Sequence, residues 1–296
     1  MIKSFKYIFV AVSMLASSIA FAQMDYDKIE LQATKVAGTV YMISGTDEEN
    51  AFSGGNIGVS VGDDGVLMVD AKFAKLADKI KGAIESIGAE GPKYILNTHV
   101  HGDHTGGNLP FQKEGTVIAH HNVRKRMMKD KPEGSWPVIT FGSDLSFFMN
   151  GEEIQAMHFP NGHTDGDAMV FFKGSNVIHM GDHFFHGLFP FVDLNDGGTV
   201  QGFLKNIKQI IDEAPKDVKI IPGHGPLATV EDLKGAHKMI SETSEIIINK
   251  MKAGKSLEDI TAEGLPEMYS SFHWGFITTD KWIKTIYNSF KADMDK

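Results

Sequence analysis

Four side chains able to bind metal are packed into six residues of this 296-residue chain, His99-Val100-His101-Gly102-Asp103-His104. They follow Tyr94-Ile95-Leu96, a short apolar run that reads as a buried strand. His99 and His101 are two apart, so an extended backbone turns both rings to one side, where they can share an ion. Gly102 lets the chain bend after them and aims Asp103 and His104 at a second ion nearby. Gly106 and Gly107 keep the loop thin enough for a substrate to approach. Imidazole nitrogen and carboxylate oxygen suit zinc, and iron or manganese is accommodated by the same donors.

Two ions need more ligands than this loop supplies. Three later loops carry suitable donors beside glycine: His163 in Gly162-His163-Thr164-Asp165-Gly166-Asp167, Asp182 after Met180-Gly181, and His224 in Pro222-Gly223-His224-Gly225-Pro226. A single His or Asp in such a loop is usually a turn residue. Together with the first motif they point to one dinuclear site.

The elements that must position these loops are legible as strands and helices in alternation. Strands are predicted at Thr39 to Ser44 and Asn56 to Val61, the second joined through Gly62-Asp63-Asp64-Gly65 to Val66–Val69 as a hairpin ending at Asp70. Phe73, Leu76, Ile80, Ile84 and Ile87 recur at helical spacing before Gly88. Further strands are expected at 94–96, 116–119, 154–158, 167–172, 176–180 and 218–221, and helices over 122–129, 200–211, 230–252 and 279–291. Hairpins and βα units together give an α/β class with mixed sheets covered by helices.

Composition removes other chemistries. With no cysteine among its residues, the chain has no disulfide framework, thiolate zinc site, iron–sulfur cluster or thiol nucleophile. A net charge of −9 argues against nucleic acid as a partner. Residues 1–22 read as a cleavable signal peptide: Lys3 and Lys6, an apolar stretch from Tyr7 to Ile19, then Ala20-Phe21-Ala22. Its removal with both lysines takes the net charge to −11 and places the protein in the periplasm or outside the cell. The apolar stretch is shorter than the roughly 20 residues of a spanning helix, and no later run is long enough, so no membrane partner is expected. Residues 23–296 read as a single domain acting on a small molecule.

On these motifs the chain resembles the metallo-β-lactamase superfamily of hydrolases, whose ordered motifs match Asp70 through His224. The resemblance implies a four-layer αβ/βα sandwich with the metals at one sheet edge. It implies one zinc on His99, His101 and His163, the other on Asp103, His104 and His224, and Asp182 bridging them. Asp70 would buttress the metal loop without binding metal, and Asp103 would also orient the nucleophile, which makes it the catalytic candidate. Hydroxide generated between the metals would attack a carbonyl. Dedicated β-lactamases usually carry Cys or Ser at the position of Asp182, whereas Asp is similar to glyoxalase II-like thioesterases and lactonases. An ester, lactone or thioester is therefore the expected substrate. β-Lactam cleavage is the first alternative, and an iron-dependent persulfide dioxygenase-like reaction the second.

Eight of the 13 histidines lie outside this set. His120 and His121 read as packing or capping residues at a helix start, His158 and His179 as strand residues, and His237 and His273 as surface or packing residues. His183 and His186 flank Asp182 and could reach the mouth of the site, with His183 a candidate either for touching substrate or for supporting a ligand. The stretch His183-Phe184-Phe185-His186-Gly187-Leu188-Phe189-Pro190-Phe191 either lines an apolar pocket or pins a loop to the core, with Phe185 and Phe189 as pocket candidates. Phe52, before Gly54-Gly55, and Trp136 and Phe141, in a loop from Gly134 to Gly142, are weaker ones. Asp47-Glu48-Glu49 reads as a solvated hairpin tip.

Overall fold

The computed structural model describes residues 25–45 and 53–294, so the leader, Phe52 and Asp47-Glu48-Glu49 lie outside the described residues. Two sheets form the frame. The first has seven strands in sequence order: β1 (Leu31–Ala37), β2 (Val40–Gly45), β3 (Ile57–Gly62), β4 (Gly65–Val69), β5 (Tyr94–Leu96), β6 (Thr116–His120) and β7 (Ile139–Phe141). The second has six, β8 (Asp144–Met149), β9 (Glu152–His158), β10 (Ala168–Phe172), β11 (Val177–His179), β12 (Lys219–Ile221) and β13 (Ala228–Thr229), in reverse order. Strands β4 to β7 run parallel, as do β11 and β12; the remaining neighbours are antiparallel.

Alternation along each strand explains the layering. Leu67 and Val69 of β4 join Val170 and Phe172 of β10 in a core between the sheets. Val66 and Met68 face the opposite way, onto Ile80 and Ile84 of α1 (Ala77–Glu85). On the second sheet, Met169 and Ile220 face outward onto three helices, α5 (Val200–Glu213), α6 (Val230–Lys252) and α8 (Thr279–Met294), around the fully buried Trp282. The result is the expected sandwich of helices, two mixed sheets and helices.

The hairpin, the helix over 230–252 and the strand leading to His99 fall where the pattern placed them. Three differences stand out. β1 and β8 are edge strands with mostly exposed or half-exposed residues; Leu145, Phe147 and Met149 of β8 alternate toward the inter-sheet core, but the exposed Phe148 on the other face blurs the contrast that marks a strand. Residues 134–142, expected as a loop, contain β7, with Phe141 buried between the sheets. α7 (Leu257–Glu263) is short, and its clearest sign is the capping box of Ser256 with Asp259. Among the described residues no helix is long and apolar enough to cross a membrane.

Candidate metal centre

Every loop singled out in the sequence leaves the same edge of the sandwich. Asp70 follows β4, His99 to His104 follow β5 and run into the one-turn helices α2 (Gly102–Thr105) and α3 (Asn108–Phe111), Asp182 follows β11 and His224 follows β12, all past the carboxyl ends of strands, while His163 lies between β9 and β10. That edge is where open α/β sheets place ligand sites. The two loop systems are tied across the sheets by Ala168 N donating to Thr98 O at 2.7 Å.

Seven side chains converge there as two groups: His99, His101, His163 with Asp182, and Asp103, His104 with His224. Asp182 divides its oxygens between them. Its Oδ2 lies 3.6 Å from His99 Nε2 and 3.4 Å from His163 Nε2. Its Oδ1 lies 3.1 Å from His104 Nε2 and 3.4 Å from His224 Nε2. Asp103 Oδ2 is 3.5 Å from His104 Nε2 and 3.4 Å from His224 Nε2.

The hydrogen bonds on the far side of each ring fix which nitrogen faces inward. Thr98 Oγ1 donates to Asp70 Oδ2 at 2.8 Å, so its lone pair accepts from His99 Nδ1 at 2.9 Å. His104 Nδ1 donates to Asp70 Oδ2 at 2.8 Å, and His163 Nδ1 to Phe191 O at 2.8 Å. His101 Nε2 donates to Asp193 Oδ2 at 3.0 Å. Four rings thereby present bare lone pairs to the centre, and His101 Nδ1 meets His163 Nε2 at 2.8 Å. Two lone pairs facing at that distance need a cation or a proton between them.

This donor set fits a pair of divalent ions. His99 Nε2, His104 Nε2 and Asp182 Oδ1 are buried without a hydrogen-bond partner, an arrangement proteins otherwise avoid. Ligands about 2.1 Å from a tetrahedral zinc stand roughly 3.3 Å apart, close to the separations above. Electrostatics divide the rings. Against burial, the carboxylates of Asp182, Asp103 and Asp70 hold His104 well above its usual range, Asp182 and Asp103 raise His224, and the bond to Asp193 raises His101, so these rings draw positive charge of the kind a bound ion would supply instead. Burial works to raise Asp103, yet His104 and His224 outweigh it and hold the carboxyl down to about 2. Burial, with neighbouring imidazoles, keeps His163 down to about 4 and His99 well below its usual range, leaving neutral rings with free lone pairs.

Backbone bulk is minimal where these groups crowd. A Cβ on Gly223 would stand 2.1 Å from Asp182 Oδ1, and one on Gly55 2.0 Å from the His104 ring. Gly55 also donates its N–H to Asp103 O at 3.1 Å, laying the start of β3 over this half of the site.

The remaining candidates separate. Asp70, fully buried, accepts from Thr98 N and from His104 Nδ1. Phe185 stacks on His224, with ring centres 5.0 Å apart, from the buried side. Phe189 is a correction: it lies in the helical core against Phe272 and Trp282, because its ring fills the gap under α8. His183 is 1% exposed, stacks on Phe203 and reaches Asn206 Nδ2 at 3.0 Å, so it lies behind the Gly162 loop that carries His163 and does not reach the mouth. Phe141 is inter-sheet core, and Trp136 packs with Val100, Val123 and Met127. His120 caps α4 (His121–Asp130) by accepting from Asn122 N at 3.3 Å.

Sequence reasoning missed two supporting residues. Asp193 belongs to a loop without metal-like spacing, yet it orients His101, and that bond, outweighing burial, holds its carboxyl down to about 2. Lys72 follows Asp70 by two residues and is fully buried; its ammonium donates to Gly54 O at 3.1 Å. Burial pulls Lys72 down to about 7 against the pull of Asp103 and Asp70. A lone lysine after a strand carries no signal of burial, so neither role was legible.

Fold and site together define a class: a two-sheet sandwich with a His/Asp centre for a metal pair at one edge. The chain belongs to the metallo-beta-lactamase superfamily, whose family model matches residues 51–228. It is 30% identical over 133 residues to a hydroxyacylglutathione hydrolase of Nitrosococcus oceani, covering 44% of this chain and 47% of that protein. It is 21% identical to the 2,4-dinitroanisole O-demethylase subunit alpha of Nocardioides sp., covering 67% and 61%. The chain thus spans about half to three-fifths of these relatives' length. A metallo-beta-lactamase from Pontibacter korlensis shares the fold at a TM-score of 0.62, with 17% identity over 72% of this chain and 99% of that one.

Proposed function

We propose that the protein is an exported zinc hydrolase that cleaves an ester, lactone or thioester of a small molecule. The carrying observation is the division of Asp182 between two groups of inward-facing ring nitrogens, each ring oriented by a hydrogen bond on its far side. His99, His101 and His163 would hold one zinc, Asp103, His104 and His224 the other, with Asp182 between. Bound there, zinc supplies Lewis acidity and brings the pKa of water towards about 7.

The chain's own residues do the rest. Asp103, kept ionised by His104 and His224, is the acceptor that orients the attacking water. Asp70 and Thr98 lock the ring orientations, so the donors need no rearrangement during reaction. Solvent water returns the leaving-group proton. An aspartate at 182 and the similarity to a hydrolase named for a hydroxyacylglutathione support an acyl-transfer substrate. The leader at 1–22 supports export. Metal analysis of the purified protein, paired with a panel of a lactone, a thioester, an alkyl ester and a chromogenic β-lactam, tests the proposal. Two zincs per chain and turnover of the first three are expected; one iron per chain, or turnover of the β-lactam alone, overturns it.

A further inference from the structure

We infer that Asn56 and His186 are positioning residues that fix the spacing of His224 from Asp182. The inference rests on the hydrolase reading above, in which these two ligands meet at one zinc. The sequence of the His224 loop sets the problem. Pro222 and Pro226 have no N–H, so Pro222-Gly223-His224-Gly225-Pro226 offers five carbonyls against three amide donors. Pro222, Gly223 and His224 are buried, where a carbonyl without a donor is costly.

Two residues supply a donor to all five carbonyls. Asn56, 5% exposed and immediately before β3, gives Nδ2 to Pro222 O at 3.0 Å and to Gly225 O at 2.8 Å. Its backbone N–H goes to Gly223 O at 2.7 Å. His186 closes the other side, with its backbone N–H on His224 O at 2.9 Å and Nδ1 on Pro226 O at 3.0 Å. A carbonyl only accepts, so Asn56 must present its NH2 here and His186 must carry a proton on Nδ1. Glycine makes the close approach possible: Gly225 has a φ of 98°, and a Cβ there would stand 2.7 Å from His186 O.

The same asparagine holds the Asp182 side. His179 Nε2 donates to Asn56 O at 3.1 Å, while its Nδ1 accepts from Gly181 N at 3.2 Å, one residue before Asp182. Gly223 N completes the tie by donating to Gly181 O at 2.8 Å. Asn56 is thus the point where the first sheet grips both loops of the second sheet that end in ligands. These bonds converge on the Asp182 and His224 loops, not on those carrying His99, His101 and His163, so loosening them should weaken one ion selectively.

Zinc titrations of the metal-free protein against a chromophoric chelator test this, and because the readout is binding it stands whether or not any substrate is turned over. Asn56→Ala should weaken one of two ions about 10- to 100-fold and leave the other within about threefold. His186→Ala should act on the same ion by less, since the backbone bond to His224 O remains. His186→Asn, whose amide can donate where Nδ1 does, should restore it; if Asn56→Ala does not fold, the two His186 variants decide alone. Equal weakening of both ions, parental affinities in both alanine variants, or a His186→Ala loss that His186→Asn leaves in place overturns the inference. If the parent chain binds no zinc, the zinc reading falls separately, and hydrogen–deuterium exchange of the metal-free protein decides the clamp. Amides of residues 223–225 should then exchange at least about tenfold faster in either alanine variant, with those of 99–104 unchanged; parental rates at 223–225 overturn it.

Discussion

The two halves of the metal centre are built differently. Asp103, His104 and His224 sit with side chains 9%, 0% and 3% exposed, backed by the fully buried Asp70 and Lys72 and covered by Gly55. The other half ends in His101, whose partner Asp193 is itself at the surface with a side chain 16% exposed. The buried half is continuous with the fold, because Asp70 serves strand β5's extension through Thr98 as well as a ligand. The open half shares that support at His99, whose ring Thr98 holds, but at His101 it is held by the loop of Asp193. Substitutions behind Asp70 should therefore cost stability and site together, and substitutions behind His101 should weigh on the site more than on stability.

Asp182 belongs to both halves, so Asp182→Ala should have the largest effect: hydrolysis lost and bound zinc falling to at most one per chain by elemental analysis. Two retained zincs with normal turnover would remove the bridge from the account. Asp70→Asn comes next. Asn keeps an acceptor for Thr98 but loses the charge that holds His104, and a metal-free urea titration should show a loss of about 3 kcal/mol. Asp193→Asn should cost about 1 kcal/mol in that titration, because its charged bond to His101 is partly exposed, while zinc affinity, measured against a competing chelator, falls about 10- to 100-fold for one ion. If Asp193→Asn destabilises as much as Asp70→Asn, the contrast between the halves is wrong.

The same contrast explains what could be read from the sequence. The seven converging residues were visible because ligand chemistry requires His and Asp, and the strand ends and glycines around them require particular spacings. Asp70 became visible through resemblance, since a lone Asp after a strand says nothing by itself. Asp193 and Lys72 act through one hydrogen bond each across long sequence separations, and such partners leave no periodic trace. The aromatic stretch after Asp182 misled for a related reason. Phe184, Phe185 and Phe189 are buried, and of its four phenylalanines Phe191 alone is half-buried beside His101, a split that depends on α8 and the 272–277 turn packed against them. Edge strands β1 and β8 are hard to read because their faces are mixed: Lys35 follows Leu31 and Ala33 on one face of β1, and the exposed Phe148 of β8 blurs the alternation of Leu145, Phe147 and Met149.

The smallest expected effect concerns the surroundings of the open half. His120 caps α4, the helix that carries Arg126 to Asp165 and Asp196, and its ring stacks on His158 at 3.8 Å. Burial, together with His158 and His121, lowers His120 to about 4, and burial lowers His158 as well. Both rings are neutral in the fold, while an unfolded histidine takes up its proton near pH 6.5. As pH falls through that value the unfolded chain gains protons first, so the contribution is complete above about 6.5 and drains away towards pH 4. His120→Asn keeps a capping acceptor for Asn122 and removes one titrating ring. Urea titrations of the metal-free protein between pH 4 and 7 should then show a shallower fall in stability for the variant than for the parent chain. An unchanged slope would mean that this stacked pair bears no part of the acid sensitivity, leaving the carboxylates beside His101 to account for it.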